Sequence, residues 1–398
     1  MGSIFLLSVI ATLLLGNQMS AEEFGEFALL KSFIIIGGSF SLLGMDQVII
    51  KKGPNFNLPY KLIINIWFIL FISSFFFTAI FKIIFLFRAK EFLFLWVIIF
   101  SNANFIYLAA LFRVRHQFIL SQLYYNFWKV LLFCCSILLI IFYDSPLFAK
   151  DLYYLLGLLS CLSFILLGTY IFISFKDKIK LKFNRNIKGF ITQGFVFWII
   201  SVVSLFFSGL DRFLITKFSS KIVLGEYHAI TFIFITGFSM LGSTIGYVLY
   251  PYLVNKKNIN IKYLLLLYLI LCMFIYIIFI SWGEIIFSLA YNANYDYIIT
   301  KKLISIILLI GIIQGLHTIV HFIVYAYASP GQLGLYFKLT ILVCLIYIIS
   351  FYSSTYIFDL TLFSISYVVL SIWVLKLLTL VGLLIYILKI KSLSFNEA

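Results

Sequence analysis

From Tyr263 to Ile280 the chain reads YLLLLYLILCMFIYIIFI, with no charged residue, and runs of this kind recur from one end of the sequence to the other. A hydrocarbon core about 30 Å thick needs about 20 apolar residues per helix. Backbone groups in lipid must also be satisfied within the spanning segment, which leaves helices or closed barrels. Hydrophobic residues make up 64% of the sequence and the mean hydropathy is +1.14, well above the roughly 45–50% apolar content of soluble domains. No aqueous fold could bury so much, so the chain reads as an all-α, polytopic membrane protein.

Orientation comes from the stretch KDKIKLKFNRNIK, Lys176 to Lys188. It concentrates lysine in a chain of which only 11% is charged. Short basic loops stay on the cytoplasmic side during insertion, so this stretch reads as a cytoplasmic linker between an N-terminal half, 1–175, and a C-terminal half, 189–398. The net charge of +15 would suggest nucleic acid in a soluble protein. Here the basic residues collect between apolar spans, where they set topology and meet anionic lipid headgroups, and no nucleic-acid partner is expected. Cys134, Cys135, Cys161, Cys272 and Cys344 fall within spans without metal-ligand spacing and read as apolar filler. The N-terminal apolar stretch lacks a basic leader and a cleavage site, so no cleavable signal peptide is expected.

In chain order about twelve spans follow. The first covers about Gly2 to Gly16, and the acidic NQMSAEEFGEF after it suits the outer face. The second runs from about Phe27 to Ile50 and ends in the basic KKGPNFNLPYK. The next four are about Leu62 to Phe81, Phe92 to Phe112, Phe118 to Tyr143 and Leu152 to Phe175. Beyond the linker come about Gly189 to Leu214, Glu226 to Tyr250 (followed by NKKNINIK) and Tyr263 to Ile280. The last three are about Leu303 to Ala326, Leu335 to Ser353 and Leu360 to Leu388, with Lys389 and Lys391 beyond them. Most of the 29 Lys and Arg residues fall in the loops assigned to the inside. Both termini are therefore placed in the cytoplasm, although Lys301 and Lys302 on the outer face run against the bias.

Gly25, Glu26 and Phe27 open the second span as Gly225, Glu226 and Tyr227 open the eighth, an offset of two hundred residues. That is the pattern of parallel six-span repeats. The same offset starts the first span before Met1, so either that helix is short or its beginning lies outside this sequence. Three motifs carry a family resemblance: Ser20 to Phe27 (SAEEFGEF), Leu43 to Gln47 (LGMDQ) and Asp211 to Ile215 (DRFLI). Together they resemble the polysaccharide transporter family, which includes O-antigen unit flippases and belongs to the multidrug, oligosaccharidyl-lipid and polysaccharide flippase superfamily. The resemblance covers nearly the whole chain. It implies about twelve helices in two pseudo-symmetric six-helix lobes around a central cavity, with no cofactor. It also implies a lipid-linked oligosaccharide as substrate, membrane lipids as surroundings, and the polysaccharide polymerase and chain-length machinery as partners.

The residues argue for an anionic guest independently. An ionisable group deep in a span costs about 2.5–3.5 kcal/mol and usually faces a cavity or a partner. Lys129 lies near the middle of the fifth span, with Gln122, Asn126 and Ser136 on its helical face. Lys376 lies near the middle of the twelfth, one turn before Thr379. Lys31, one turn from the outer end of the second, could equally snorkel to the interface. No acidic residue occupies the middle of a span; Asp46 and Asp211 lie near span ends. A lysine can hold a pyrophosphate as a point charge.

Gln193, Ser201, Ser204, Ser208 and Asp211 form one polar strip, and Gln314, His317, His321 and Tyr325 another. Such groups suit sugar hydroxyls, although serines also serve close helix packing. His317 and His321 lack an evident third metal ligand, leaving a proton-sensitive pair or interhelical hydrogen bonds. Asp211 and Arg212 read as a structural pair at the outer surface or as a gate. The aromatic content of 20% is explained by lipid-facing Phe and interfacial Tyr and Trp.

No phosphate loop, nucleophile elbow or HExxH is present, nothing resembles a selectivity filter, and no enzyme activity is expected. The resulting expectation is a flippase in the bacterial inner membrane that carries undecaprenyl-pyrophosphate-linked oligosaccharide to the periplasmic leaflet. The alternative is a cation-coupled multidrug exporter of the same superfamily, which would be expected to carry mid-span carboxylates.

Overall fold

A computed structural model of the chain describes residues 2–52, 60–85, 89–114, 117–143, 146–175, 187–254, 261–291, 295, 299–357 and 360–396. Most of the basic linker, 176–186, lies outside them. The described residues form helices and no strand; only an isolated bridge joins Met19 to Leu147. Eight helices are long and apolar enough to cross a membrane, and one bent pair would make a ninth. Large apolar side chains stand exposed along them, including Phe76 at 65%, Phe274 at 64% and Ile349 at 63%. Water would not tolerate such a surface, whereas lipid does. The chain divides into two compact units, 1–209 and 210–398.

Unit 1 contains α1 (Gly2–Gln18), α2 (Ala21–Ser41), α3 (Met45–Lys52), α4 (Tyr60–Phe85), α5 (Ala89–Val114), α6 (Phe118–Tyr125), α7 (Phe127–Phe142), α8 (Ala149–Phe175) and most of α9 (Ile187–Phe218). Helix α5 is its centre and packs against α2, α3, α4, α6 and α8, while α1 packs on α7. The acidic SAEEF segment is not a loop but the first turn of α2. The Ser20 hydroxyl caps it by accepting from Glu23 N at 3.4 Å. The Glu23 carboxylate in turn accepts from Ala149 N at 2.6 Å, meeting the positive end of the α8 dipole. With the hydrogen bond from Leu147 N to Gln18 O at 3.0 Å, this stitches the α1–α2 turn to the α7–α8 turn at one end of the unit.

Two spans expected to be continuous are broken. The second divides into α2 and α3 because Leu43 (φ 47°) and Gly44 (φ 70°) adopt the left-handed conformation, which ends helices and is strained for leucine. Tertiary contacts hold the break. A Cβ on Gly44 would collide with the Gly194 carbonyl of α9. Trp198 Nε1 donates to Phe40 O at 2.8 Å and Ser73 Oγ to Ser41 O at 2.7 Å, supplying donors to carbonyls at the end of α2. The fifth span divides at Asn126 into α6 and α7, bent by 52°.

Unit 2 holds the end of α9 with α10 (Lys221–Val254), α11 (Ile261–Tyr291), α12 (Lys301–Tyr327), α13 (Pro330–Ile357) and α14 (Leu362–Asn396). Helix α12 is its centre, packed on α10, α11 and α14, with α13 against α14. Gly242 of α10 and Gly315 of α12 meet backbone to backbone, leaving no room for a Cβ on Gly242. Ser220 caps α10, its hydroxyl accepting from Val223 N at 3.2 Å, as Ser20 caps α2 two hundred residues earlier. Pro330 opens α13 behind a capping box: Ser329 N donates to Gln332 Oε1 at 2.8 Å, and Gln332 N to Ser329 Oγ at 3.4 Å.

Several helices outrun their expected limits. Helix α9 continues to Phe218, α10 starts at Lys221 and α11 continues to Tyr291. Asp211 and Glu226 lie toward one end of their helices, whereas Glu284, expected in the segment after the ninth span, lies within α11.

Candidate functional site

In unit 2 the polar strip of α12 and the lysine of α14 converge. Lys376 is 4% exposed, with Nζ 4.8 Å from the centre of the Trp373 ring. His317 also meets that indole, edge-on at 5.6 Å. His317 lies 6.0 Å from His321 between ring centres, and both imidazoles are in electrostatic reach of Lys376. His321 Nδ1 is 2.9 Å from the Tyr336 hydroxyl of α13, and Tyr325 packs on the same imidazole at 4.4 Å. One turn earlier on α12, Gln314 accepts from Ser239 Oγ of α10 at 3.2 Å.

A cation over a desolvated indole gains about 2 kcal/mol, which offsets part of the cost of placing Lys376 in the membrane. His317 Nε2 is buried with no hydrogen-bond partner, a donor or acceptor left for a guest. No Asp or Glu occurs in the sequences of α12, α13 or α14. Helices α12, α13 and α14 thus contribute positive and neutral polar groups only, while α10, which brings Ser239, carries Glu226 near its start. Among the described residues no third metal-ligating side chain joins the two histidines.

In unit 1, Lys129 Nζ donates to Asn126 Oδ1 at 2.8 Å, and Asn126 Nδ2 donates to Gln122 O at 3.0 Å. Lys129 and Asn126 do meet, at a helix break rather than along one straight face, and Gln122 takes part through its backbone carbonyl. Ser136, also expected on that face, is buried and donates to Phe133 O at 2.8 Å. Lys31 is partly buried, reaching Thr12 Oγ1 of α1 at 3.5 Å and the Phe27 ring at 5.9 Å. Asp46, on α3, accepts from Gln47 Nε2 at 2.8 Å and lies in electrostatic reach of Arg113.

Asp211 bonds to its own neighbour and across to α10. Arg212 N donates to Asp211 Oδ1 at 2.9 Å, and the Tyr227 hydroxyl donates to Oδ2 at 3.0 Å. The DRFLI and GEY segments are therefore joined by the Tyr227–Asp211 hydrogen bond, and Tyr227, buried, is a partner that sequence reasoning missed. Of the α9 strip, Ser208 is exposed and bonds its own helix at Leu205 O. The side chains of Gln193 and Ser201 lie outside those described.

Trp373 and Tyr336 were also missed. Trp373 is three residues before Lys376, a helical neighbour that spacing could have found. Tyr336 reaches His321 only through the packing of α12 and α13. Comparisons with protein-family models, with curated proteins and with solved structures found no match to the chain.

Proposed function

We propose that the protein is a flippase of about twelve spans in two six-helix lobes, moving an undecaprenyl-pyrophosphate-linked oligosaccharide from the cytoplasmic to the periplasmic leaflet of a bacterial inner membrane. The observation that carries this reading is the burial of Lys376 beside His317, His321 and Trp373, on helices without a carboxylate. Such a cluster favours an anionic guest and disfavours a cation. A diphosphate supplies that charge, while Gln314, Ser239 and Tyr336 suit the hydroxyls of a sugar. The prenyl tail would remain in lipid, and alternating access would carry the headgroup across. The resemblance of the SAEEFGEF, LGMDQ and DRFLI segments to the polysaccharide transporter family supports the same reading, as does the shared capping of α2 and α10. O-antigen or capsule repeat units are the substrates proposed, with the polysaccharide polymerase and chain-length machinery as partners.

A cation-coupled drug exporter is the second reading, favoured by Asp211, a carboxylate within α9 held by Tyr227. The two separate on one strain set. A host lacking its own unit flippase regains surface polysaccharide when it carries this chain and not when it carries Lys376→Gln at equal protein level. Drug resistance conferred by the chain, without polysaccharide rescue, would select the exporter.

A further inference from the structure

We propose that α3 and α6 form a single gate at one end of unit 1, hinged at Leu43–Gly44 and at Asn126, and that an anionic headgroup releases it by drawing Lys129 away from Asn126. The proposal rests on the anionic cargo argued above. Each of these helices is eight residues long and continues a longer one across a break. Both rest on the C-terminal half of α5. Met45, Val48 and Ile49 pack with Ala103 and Tyr107, and Ser121 Oγ donates to Ala109 O at 2.8 Å. Asp46 of α3 lies in electrostatic reach of Arg113 on α5, so the two short helices are linked through the C-terminal half of α5, on which both rest.

The opposite ends of α2 and α7 are fixed by the Glu23–Ala149 and Gln18–Leu147 hydrogen bonds, so any movement of α3 or α6 would have to turn at the breaks. Two features mark the present packing as one of two states. Leu43 is held in a left-handed conformation, the kind of strain that persists where a segment switches. Tyr107 Oη and Trp67 Nε1, in the core beneath α3, are buried without hydrogen-bond partners, and lifting α3 would let water reach them. The latch at the second hinge is the charge-assisted bond from Lys129 to Asn126 Oδ1. A diphosphate competes for that ammonium with a full charge where Asn126 offers a dipole.

Hydrogen exchange followed by mass spectrometry on the full chain in detergent tests this, with geranylgeranyl diphosphate as probe and geranylgeraniol as the uncharged control. The diphosphate should speed amide exchange about tenfold in both 42–47 and 122–129, the scale of one charge-assisted hydrogen bond, and geranylgeraniol should not. Asn126→Ala should produce the same acceleration in both segments without ligand. Lys129→Met should make exchange there insensitive to the diphosphate. If the diphosphate binds and neither segment responds, or only one does, the gate is wrong while the anionic cargo stands. An equal response in Lys129→Met removes Lys129 as the trigger and overturns the proposal. If the diphosphate does not bind the wild-type chain, the cargo reading falls and the gate falls with it.

Discussion

Units 1 and 2 follow one packing plan and differ in continuity. In each, the fourth helix of the expected six is the hub: α5 is packed by α2, α4 and α8, as α12 is by α10, α11 and α14. Serine caps two hundred residues apart start α2 and α10. Yet unit 1 breaks its second and fifth spans, whereas their counterparts α10 and α13 run unbroken for 34 and 28 residues. Unit 2 instead locks its hub to α10 through a glycine–glycine backbone contact and places a buried lysine of α14 beside the histidines of α12. The same plan thus carries one half with broken spans and one half with unbroken spans and a buried lysine.

The largest effect should come from the half with the buried lysine. Lys376→Met removes an ionisable group from the membrane, so it should abolish polysaccharide export while raising stability in detergent by about 2 kcal/mol. Thermal unfolding of the purified protein beside a surface-polysaccharide blot would show both. A loss of stability would mean that the lysine holds the fold and not the cargo.

The half with broken spans is tested next. Gly44→Ala places a Cβ in a left-handed position and against the Gly194 carbonyl, so it should cost about 3 kcal/mol in a denaturation experiment. The hub contacts separate the units further. Gly242→Ala would push into the backbone of Gly315 and should cost about 2 kcal/mol, whereas Gly37→Ala meets side-chain carbons of Phe77 and Ile99 at 2.7 and 2.9 Å, which can turn aside, and should cost about 1 kcal/mol. Equal costs would mean that the two hubs are equally rigid. The smallest pair are the caps. Ser20→Ala and Ser220→Ala should each lose about 1 kcal/mol, and matching losses would support the repeat.

Much of this was legible in the sequence. The apolar runs marked the membrane helices, and a 3.6-residue period put Gln314, His317, His321 and Tyr325 on one face of α12. Their meeting with Lys376 was not legible, since it depends on how α14 packs on α12. Nor were the breaks, because Leu43 has no helix-breaking chemistry of its own and is held by Trp198, Ser73 and Gly194 from elsewhere in the chain. Asn126 looked like a polar residue on a straight face, and only the bend shows that its amide bonds Lys129 and Gln122 at a hinge. Glu284 appeared to lie in a loop because apolar content alone underestimates the length of α11, which runs on to Tyr291.

Binding of geranylgeranyl diphosphate to the full-length protein, measured against geranylgeraniol and against Lys376→Met, tests the buried positive site most directly. The diphosphate should bind the wild type at least about tenfold more tightly than the alcohol, and that preference should vanish in the variant. Equal affinity for the two probes, or an undiminished preference in Lys376→Met, would contradict the account.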